Sequence, residues 1–217
     1  MIPCSNRIQE ILEWGNGECI ADIGCDHAYV VCNAILNHQS KKGYACDVAQ
    51  GPLDNAKKTI EENHLSDLVS CRLLDGIQGL ESDVDQIIIC GMGGKLIIDI
   101  LSKGNLYCGL RLLLSCNKDD FALREYLHDH HIHIVREKMI YDHGHYYPIL
   151  DCVCEDTKQE VSTSQLYFGV NMLIDETYAA YLDFEENKYK NILSKVNKPE
   201  FIEKIEYIKE IRTQRIS

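Results

Sequence analysis

The run Gln86-Ile87-Ile88-Ile89-Cys90 constrains the fold more than any other five residues of the chain. Three consecutive isoleucines leave no side for water. A β-branched run of that kind fits a strand covered on both faces. Similar short runs occur at Cys19 to Ile23, Gly43 to Asp47, Val69 to Leu73 and Leu110 to Leu114. Between them the period changes to that of a helix. Ser5 is placed to cap a first helix with Ile8, Ile11 and Leu12 on its apolar face. Further helices are predicted over Ala28–Leu36, from Pro52 to about Asn63, over Lys95–Ser102, and from a cap at Asp119 or Asp120 to about His128. Strand–helix alternation with short links predicts an α/β fold, Rossmann-like and doubly wound, with a mostly parallel seven-stranded sheet. The last two strands, Ile132–Met139 and Tyr146–Val153, are joined by Asp142-His143-Gly144 with no helix between them. They predict one antiparallel edge strand.

Beyond about Glu160 only helical spacing remains. Leu166, Val170, Leu173, Tyr181 and Phe184 form one stripe. Ile192, Val196, Ile202, Ile205 and Ile208 form another, broken at Asn197-Lys198-Pro199. The expected organisation is a sheet domain over residues 1–157 and a helical, coiled-coil-like appendage over 158–217. Net charge is −12 across 217 residues. Residues 188–217 run against it, with eight basic residues (Lys188, Lys190, Lys195, Lys198, Lys204, Lys209, Arg212, Arg215) and four acidic ones. A nucleic-acid ligand would need such a local basic surface, and the tail is the expected contact. Lys41, Lys42, Lys57 and Lys58 are a second basic group that can border a site. The eleven cysteines, without a secretory signal or an apolar run of membrane-spanning length, read as buried free thiols of a cytoplasmic protein.

Ligands of doubly wound sheets bind at the carboxyl ends of the strands. Those ends carry a consistent set of residues. Asp22-Ile23-Gly24 closes the first strand, and Gly24 lets a ligand approach the backbone. Asp47, followed by Val48, closes the second, where an acid can accept both hydroxyls of a ribose. Asp75-Gly76 follows the third, and Gly91-Met92-Gly93-Gly94 the fourth. In that order they describe a site for an adenosine-bearing cofactor. Only one glycine follows the first strand, and the acids beside it would repel a pyrophosphate, so a dinucleotide is disfavoured. The same acids suit the sulfonium and ammonium groups of S-adenosyl-L-methionine.

The stretch ADIGCDHAY, the segments GPLDNA (Gly51 to Ala56) and RLLDG (Arg72 to Gly76), IICGMGG (Ile88 to Gly94), and Asn117 followed by LREYL (Leu123 to Leu127) resemble the bacterial tRNA (adenine-22 N1)-methyltransferase family, the TrmK type. The similarity covers roughly residues 5–155. Phe168-Gly169 and the helical tail also resemble that family's C-terminal region. The resemblance implies methyl transfer from S-adenosyl-L-methionine to N1 of an adenine in tRNA, with no metal, no membrane and no protein partner, by a monomer or weak dimer. It implies cofactor binding by Asp22, Gly24, Asp47, Val48, Asp75, Gly76, Gly91 and Met92. Asp26, His27 and Tyr29 match the family's D-H-A-Y signature, and the chemistry of the transfer step suggests Asp26 for the developing charge or the exocyclic amine, His27 to orient it or take a proton, Tyr29 or Met92 for the pocket wall and Asn117 for the base edge. The chain departs from the family pattern at Ser115-Cys116, Val30-Val31 and Pro148. Two other readings fit the residues: a silent cofactor- or RNA-binding scaffold, and a small-molecule methyltransferase. Asp26 can also be read as a plain helix cap. His128, His130, His131, His133, His143 and His145, near Cys152 and Cys154, lack metal-site spacing. No arrangement singles out a nucleophilic cysteine.

Overall fold

A computed structural model describes residues 2, 4–196 and 198–213. Met1, Pro3, Asn197 of the expected break and Arg215 of the basic tail lie outside the described residues. The elements run α1 (Asn6–Trp14), β1 (Cys19–Ile23), α2 (Tyr29–Leu36), β2 (Lys42–Asp47), α3 (Gln50–Glu62), β3 (Val69–Leu73), β4 (Gln86–Met92), α4 (Gly94–Ser102), β5 (Arg111–Cys116), α5 (Asp120–Asp129), β6 (Ile132–Asp142), β7 (His145–Cys154), α6 (Thr163–Phe168), α7 (Glu176–Leu193) and α8 (Pro199–Thr213).

The isoleucine run does what its composition requires. Ile87 and Ile89 face one layer with Leu112, Leu114, Ile97 of α4 and Leu127 of α5. Ile88 faces the other with Leu113, Ile11 of α1, Val31 of α2 and Leu53 of α3. The seven strands stand in the order β3-β2-β1-β4-β5-β7-β6. The first five are parallel, and β7 is antiparallel to both of its neighbours. The antiparallel strand was expected at the edge and instead lies one place in, with β6 outside it. The burial patterns give the reason. From Pro148 to Cys152 β7 is buried on both faces, whereas β6 has exposed or half-buried residues along its length. A strand buried on both faces belongs inside a sheet, and its one charge there, Asp151, is met by Arg111 and Arg136. The turn between them has positive φ at both His143 (47°) and Gly144 (83°), the hairpin geometry that matches strand twist.

Ser5 caps α1 as expected, its Oγ accepting from the Ile8 N–H. Asp119 stands at the N-cap position of α5, but in the left-handed region (φ 59°) and with no side-chain cap bond. The expected helix from Ala28 starts at Tyr29, because Ala28 itself has φ 56°.

The tail forms three helices. α7 and α8 pack on each other and α6 packs on α8, around Phe168, Tyr178, Leu182, Ile205 and Ile208, with Met139 of β6 in the same cluster. Two buried charges fix this assembly to the sheet. Arg124 of α5 and Glu137 of β6 are both 0% exposed and joined by three hydrogen bonds of 3.0–3.1 Å. Arg124 also donates to the carbonyls of Leu166 and Tyr167, and Glu137 accepts from the Val170 N–H. Residues 171–173 then lie along the outer edge of β6, with the Glu137 N–H donating to the Asn171 carbonyl and the Leu173 N–H to that of Glu137. No helix among the described residues is long and apolar enough to cross a membrane.

Removing one partner of a buried ion pair strands the other. Arg124→Met is therefore expected to lower the free energy of unfolding by about 3–5 kcal/mol in urea titrations. Adding Glu137→Leu should recover part of the loss, because the Leu166 and Tyr167 carbonyls and the Val170 N–H still lose their partners. A single variant within about 0.5 kcal/mol of the parent would show that the pair does not hold the tail.

Candidate functional site

The first strand end sets the site. Gly24 has φ +73°, and a Cβ there would lie 1.9 Å from the Met92 Cε. Only glycine lets the Met92 side chain cross the end of β1. The N–H groups of Gly24 and Cys25 both donate to the Cys46 carbonyl, at 2.8 and 3.1 Å, which ties this turn to β2. Asp22 lies beneath, 2% exposed, accepting a 3.4 Å hydrogen bond from the Val31 N–H. Burial pushes its carboxyl up to about 7. The Val31 N–H opposes that rise and the charge of Asp47 adds to it.

Gly24, Asp47, Val48, Asp75, Gly76 and Met92 line one cavity of about 130 Å³ at the carboxyl ends of β1, β2 and β4. These are six of the eight cofactor residues expected from the sequence; Asp22 lies under the floor and Gly91 stands next to Met92. Asp47 Oδ1 accepts from the Ala49 N–H at 2.9 Å, which fixes the carboxylate at the β2 end. Asp75 accepts from Lys103 Nζ at 2.8 Å, and the same ammonium reaches Asp99 at 2.8 Å. A turn where a Cβ would meet Met92, with the carboxylates of Asp47 and Asp75 at its edge, fits an adenosine whose 5′ substituent carries positive charge. It does not fit a pyrophosphate.

The transfer residues fall into two groups. Asp26 (φ 45°) and Ala28 (φ 56°) hold the loop in the left-handed region on either side of His27. Such conformations cost non-glycine residues on the order of 1 kcal/mol each and collect at working sites. Asp26 is not the cap of α2. Ala28 takes that position, and it makes no side-chain bond. The Asp26 carboxylate is 69% exposed, 3.8 Å from His27 Nε2. The His27 ring stacks on Tyr29, with centroids 5.1 Å apart.

Asn117 belongs to the second group. Its N–H donates to the Met92 carbonyl at 2.7 Å and its Nδ2 to the Gly91 carbonyl at 2.6 Å. Gly91 (φ +84°) sits in a bulge where the β4–β5 register shifts between Cys90 and Met92. Bulges next to active sites re-aim backbone groups in this way. Arg7 of α1 completes the group, donating to Asn117 Oδ1 at 2.7 Å with its guanidinium 4.5 Å above the Tyr147 ring. Sequence reasoning missed Arg7. It lies 110 residues from its partner, and no local pattern joins the two. Among the described residues no hydrogen bond joins Asp26, His27 or Tyr29 to Asn117.

Other features lead away from chemistry. All eleven cysteines are unpaired. Burial pushes Cys90 and Cys116 up to about 12, so neither is an activated nucleophile. The ring nitrogens of His130, His131 and His133 face the backbone carbonyls of Tyr126, Asp156 and Thr157. No group of three His, Cys, Asp or Glu able to hold a metal occurs among the described residues. Lys41 pairs with Glu18 and Lys42 with Asp83, at the start of β2 and away from the strand ends that carry the site. At the Ser115-Cys116 departure, the buried Ser115 hydroxyl has no partner among the described residues.

Residues 20–215 match the family described as TrmK: tRNA (adenine(22)-N(1))-methyltransferase. A Bacillus subtilis (strain 168) protein of that same name is 33% identical over 177 residues, which cover 80% of this chain and 74% of the relative. The M. capricolum TrmK structure in complex with S-adenosyl-homocysteine is similar with a TM-score of 0.82 and 26% identity, over 99% of this chain and 98% of that one. A Streptococcus pneumoniae structure in complex with S-adenosyl-L-methionine is similar with a TM-score of 0.83 and 29% identity, over 96% and 99%. With that match across nearly the whole chain, and that relative at one-third identity, the chain belongs to the TrmK family of tRNA (adenine(22)-N(1))-methyltransferases.

Proposed function

We infer that the protein transfers the methyl group of S-adenosyl-L-methionine to N1 of adenine 22 in tRNA. The observation that carries this reading is the double use of Met92. Its side chain lines the acid-edged cavity and its carbonyl accepts from the Asn117 N–H, so in this reading the cofactor pocket and Asn117 share one wall. In this reading Asp47 and Val48 would hold the ribose, Asp75 and Gly76 the adenine edge, and Gly24 the close approach of the backbone. Asp22 answers positive charge from below. When bound, the cofactor supplies a methyl group already activated by its sulfonium.

The chain's own task is to position the acceptor. N1 lies on the Watson–Crick edge, so the adenine must arrive unpaired or rotated out of its helix. Asn117 has one Nδ2 hydrogen on Gly91 and one Oδ1 lone pair on Arg7, which leaves one donor and one acceptor for a base edge. Arg7 and Gly91 hold that amide in one orientation, and such preorganisation is a large part of what a transferase contributes. Methylation places positive charge on the ring. We assign Asp26 to stabilise it, His27 to orient Asp26 or take a proton afterwards, and Tyr29 to wall the pocket.

In the tail, Lys188, Lys190, Lys209 and Arg212 pair with carboxylates of α7 and α8. Lys195 and Lys204 have no carboxylate partner among the described residues, and we assign the RNA backbone contact to them. We read residues 1–157 as the cofactor unit and 158–217 as the RNA-facing unit. Eleven unpaired thiols support a reducing, cytoplasmic setting.

The direct test supplies labelled S-adenosyl-L-methionine and unmodified tRNA and maps the label. Label in 1-methyladenosine at position 22 is expected; cofactor binding without label in tRNA would sink the reading. Asp26→Ala should lower kcat by roughly 100-fold or more and leave cofactor affinity unchanged. Undiminished turnover would remove Asp26 from the mechanism. Asp22 predicts a pH effect. The unfolded chain loses this proton near pH 4 and the folded chain holds it to about 7, so folding is progressively opposed as pH rises between the two. Asp22→Asn removes the opposition. Its stability advantage over the parent should grow by about 2–3 kcal/mol from pH 5 to pH 8 in urea unfolding of the cofactor-free protein. A constant difference would show that Asp22 is not held protonated.

A further inference from the structure

A second cavity, of about 440 Å³, opens beside Asn117 between the β5–α5 loop, the β6–β7 turn and the tail helices. That volume falls in the range of ~300–1,000 Å³ typical of small-ligand sites. Asn117 and Lys118 form one rim; Phe184 and Lys188 of α7 and Lys204 of α8 form the other. We propose that it holds a second unpaired nucleotide of the tRNA, next to the adenine that is methylated. The proposal rests on the reading of the chain as a tRNA methyltransferase and adds a subsite to it.

Three observations carry it. The first is continuity. Lys118 follows Asn117 and lines the cavity, and its Cε lies 3.2 Å from where a Cβ on Gly93 would stand, so its side chain lies against the backbone that follows Met92. The second is an aromatic surface with an open face. Phe184 is 54% exposed, and Tyr146 lies 5.6 Å from it and 5.5 Å from Tyr181. Rings of this kind stack on any base. The third is charge. The Lys204 ammonium lies 5.1 Å over Tyr167, 5.6 Å over Tyr189 and 5.5 Å over Phe201, held by ring faces without a carboxylate partner among the described residues. Lys118 is likewise without one among the described residues. Three carboxylates also face the cavity. Asp120 is engaged by Arg124 and Glu185 by Lys188, which leaves Asp119 against two lysines that have no carboxylate partner among the described residues. In a protein of net charge −12, this is a place where a phosphate next to a stacked base is welcome.

The geometry accounts for the position of the tail. Its helices supply the far wall of a pocket whose near wall is the methyl-transfer site, so two neighbouring nucleotides are held at once. Holding the neighbour fixes the extruded adenine more firmly than contact with one base alone.

The test is steady-state methylation of unmodified tRNA by the full chain, with cofactor affinity measured separately. Phe184→Ala, at an exposed position, and Lys118→Ala are each expected to raise KM for tRNA roughly tenfold, with the dissociation constant for S-adenosyl-homocysteine unchanged. An unchanged KM in both variants overturns the subsite. If Phe184→Ala also weakens the cofactor it reports damage to the helices, and Lys118→Ala decides. Failure of the underlying reading looks different: the parent protein itself then labels no tRNA.

Discussion

The ion pair between Arg124 and Glu137 holds the sheet and the tail together. Neither side chain is reached by water, and a lone charge there would be ruinous. Each is satisfied twice over. The guanidinium spans Glu137, Asp120 and two carbonyls at the end of α6; the carboxylate also takes the Val170 N–H. Buried pairs of this sort add little net stability over an apolar replacement. What this one supplies is position. It satisfies the last carbonyls of α6, which a short helix cannot satisfy itself, from a strand and a helix of the sheet domain. The far wall of the 440 Å³ cavity is placed by that junction.

The cofactor side follows a different logic. Asp22, Asp47 and Asp75 are gathered at strand ends because a parallel sheet aims all its carboxyl ends the same way. The burial of Asp22 and the nearby charge of Asp47 oppose folding, whereas Asp75 is paired with Lys103. A protein accepts such an arrangement where a ligand compensates it, and the sulfonium and ammonium of the proposed cofactor would do so. Met92 and the Gly91 bulge translate that pocket into the orientation of Asn117 without an intervening loop.

Much of this was legible in the chain. The Ile87–Ile89 run announces a two-faced strand. The acids and glycines at the strand ends lie where a doubly wound sheet makes them converge, and Gly24, Asp47, Asp75 and Gly76 do line one cavity. The strand order at the far edge was legible in principle, since Asp151 is the one charged residue between Pro148 and Cys152 while Arg136, Glu137 and Lys138 interrupt β6. The length of the closing hairpin masked it. Two things were not readable. Ala28 adopts a left-handed conformation that no alanine advertises, so Asp26 looked like a possible cap. Arg7 reaches Asn117 only after the whole sheet has formed.

The strip of backbone at residues 171–173 has one more consequence. An outer strand eleven residues long, with unpaired amide groups, is a template for any other extended chain. The turn after Gly169 lays Asn171 and Leu173 against Glu137 and occupies the middle of that border. The same segment that leads into α7 and α8 thus acts as a guard against strand-to-strand association between copies. Loosening it would carry a solubility penalty quite apart from any loss of chemistry.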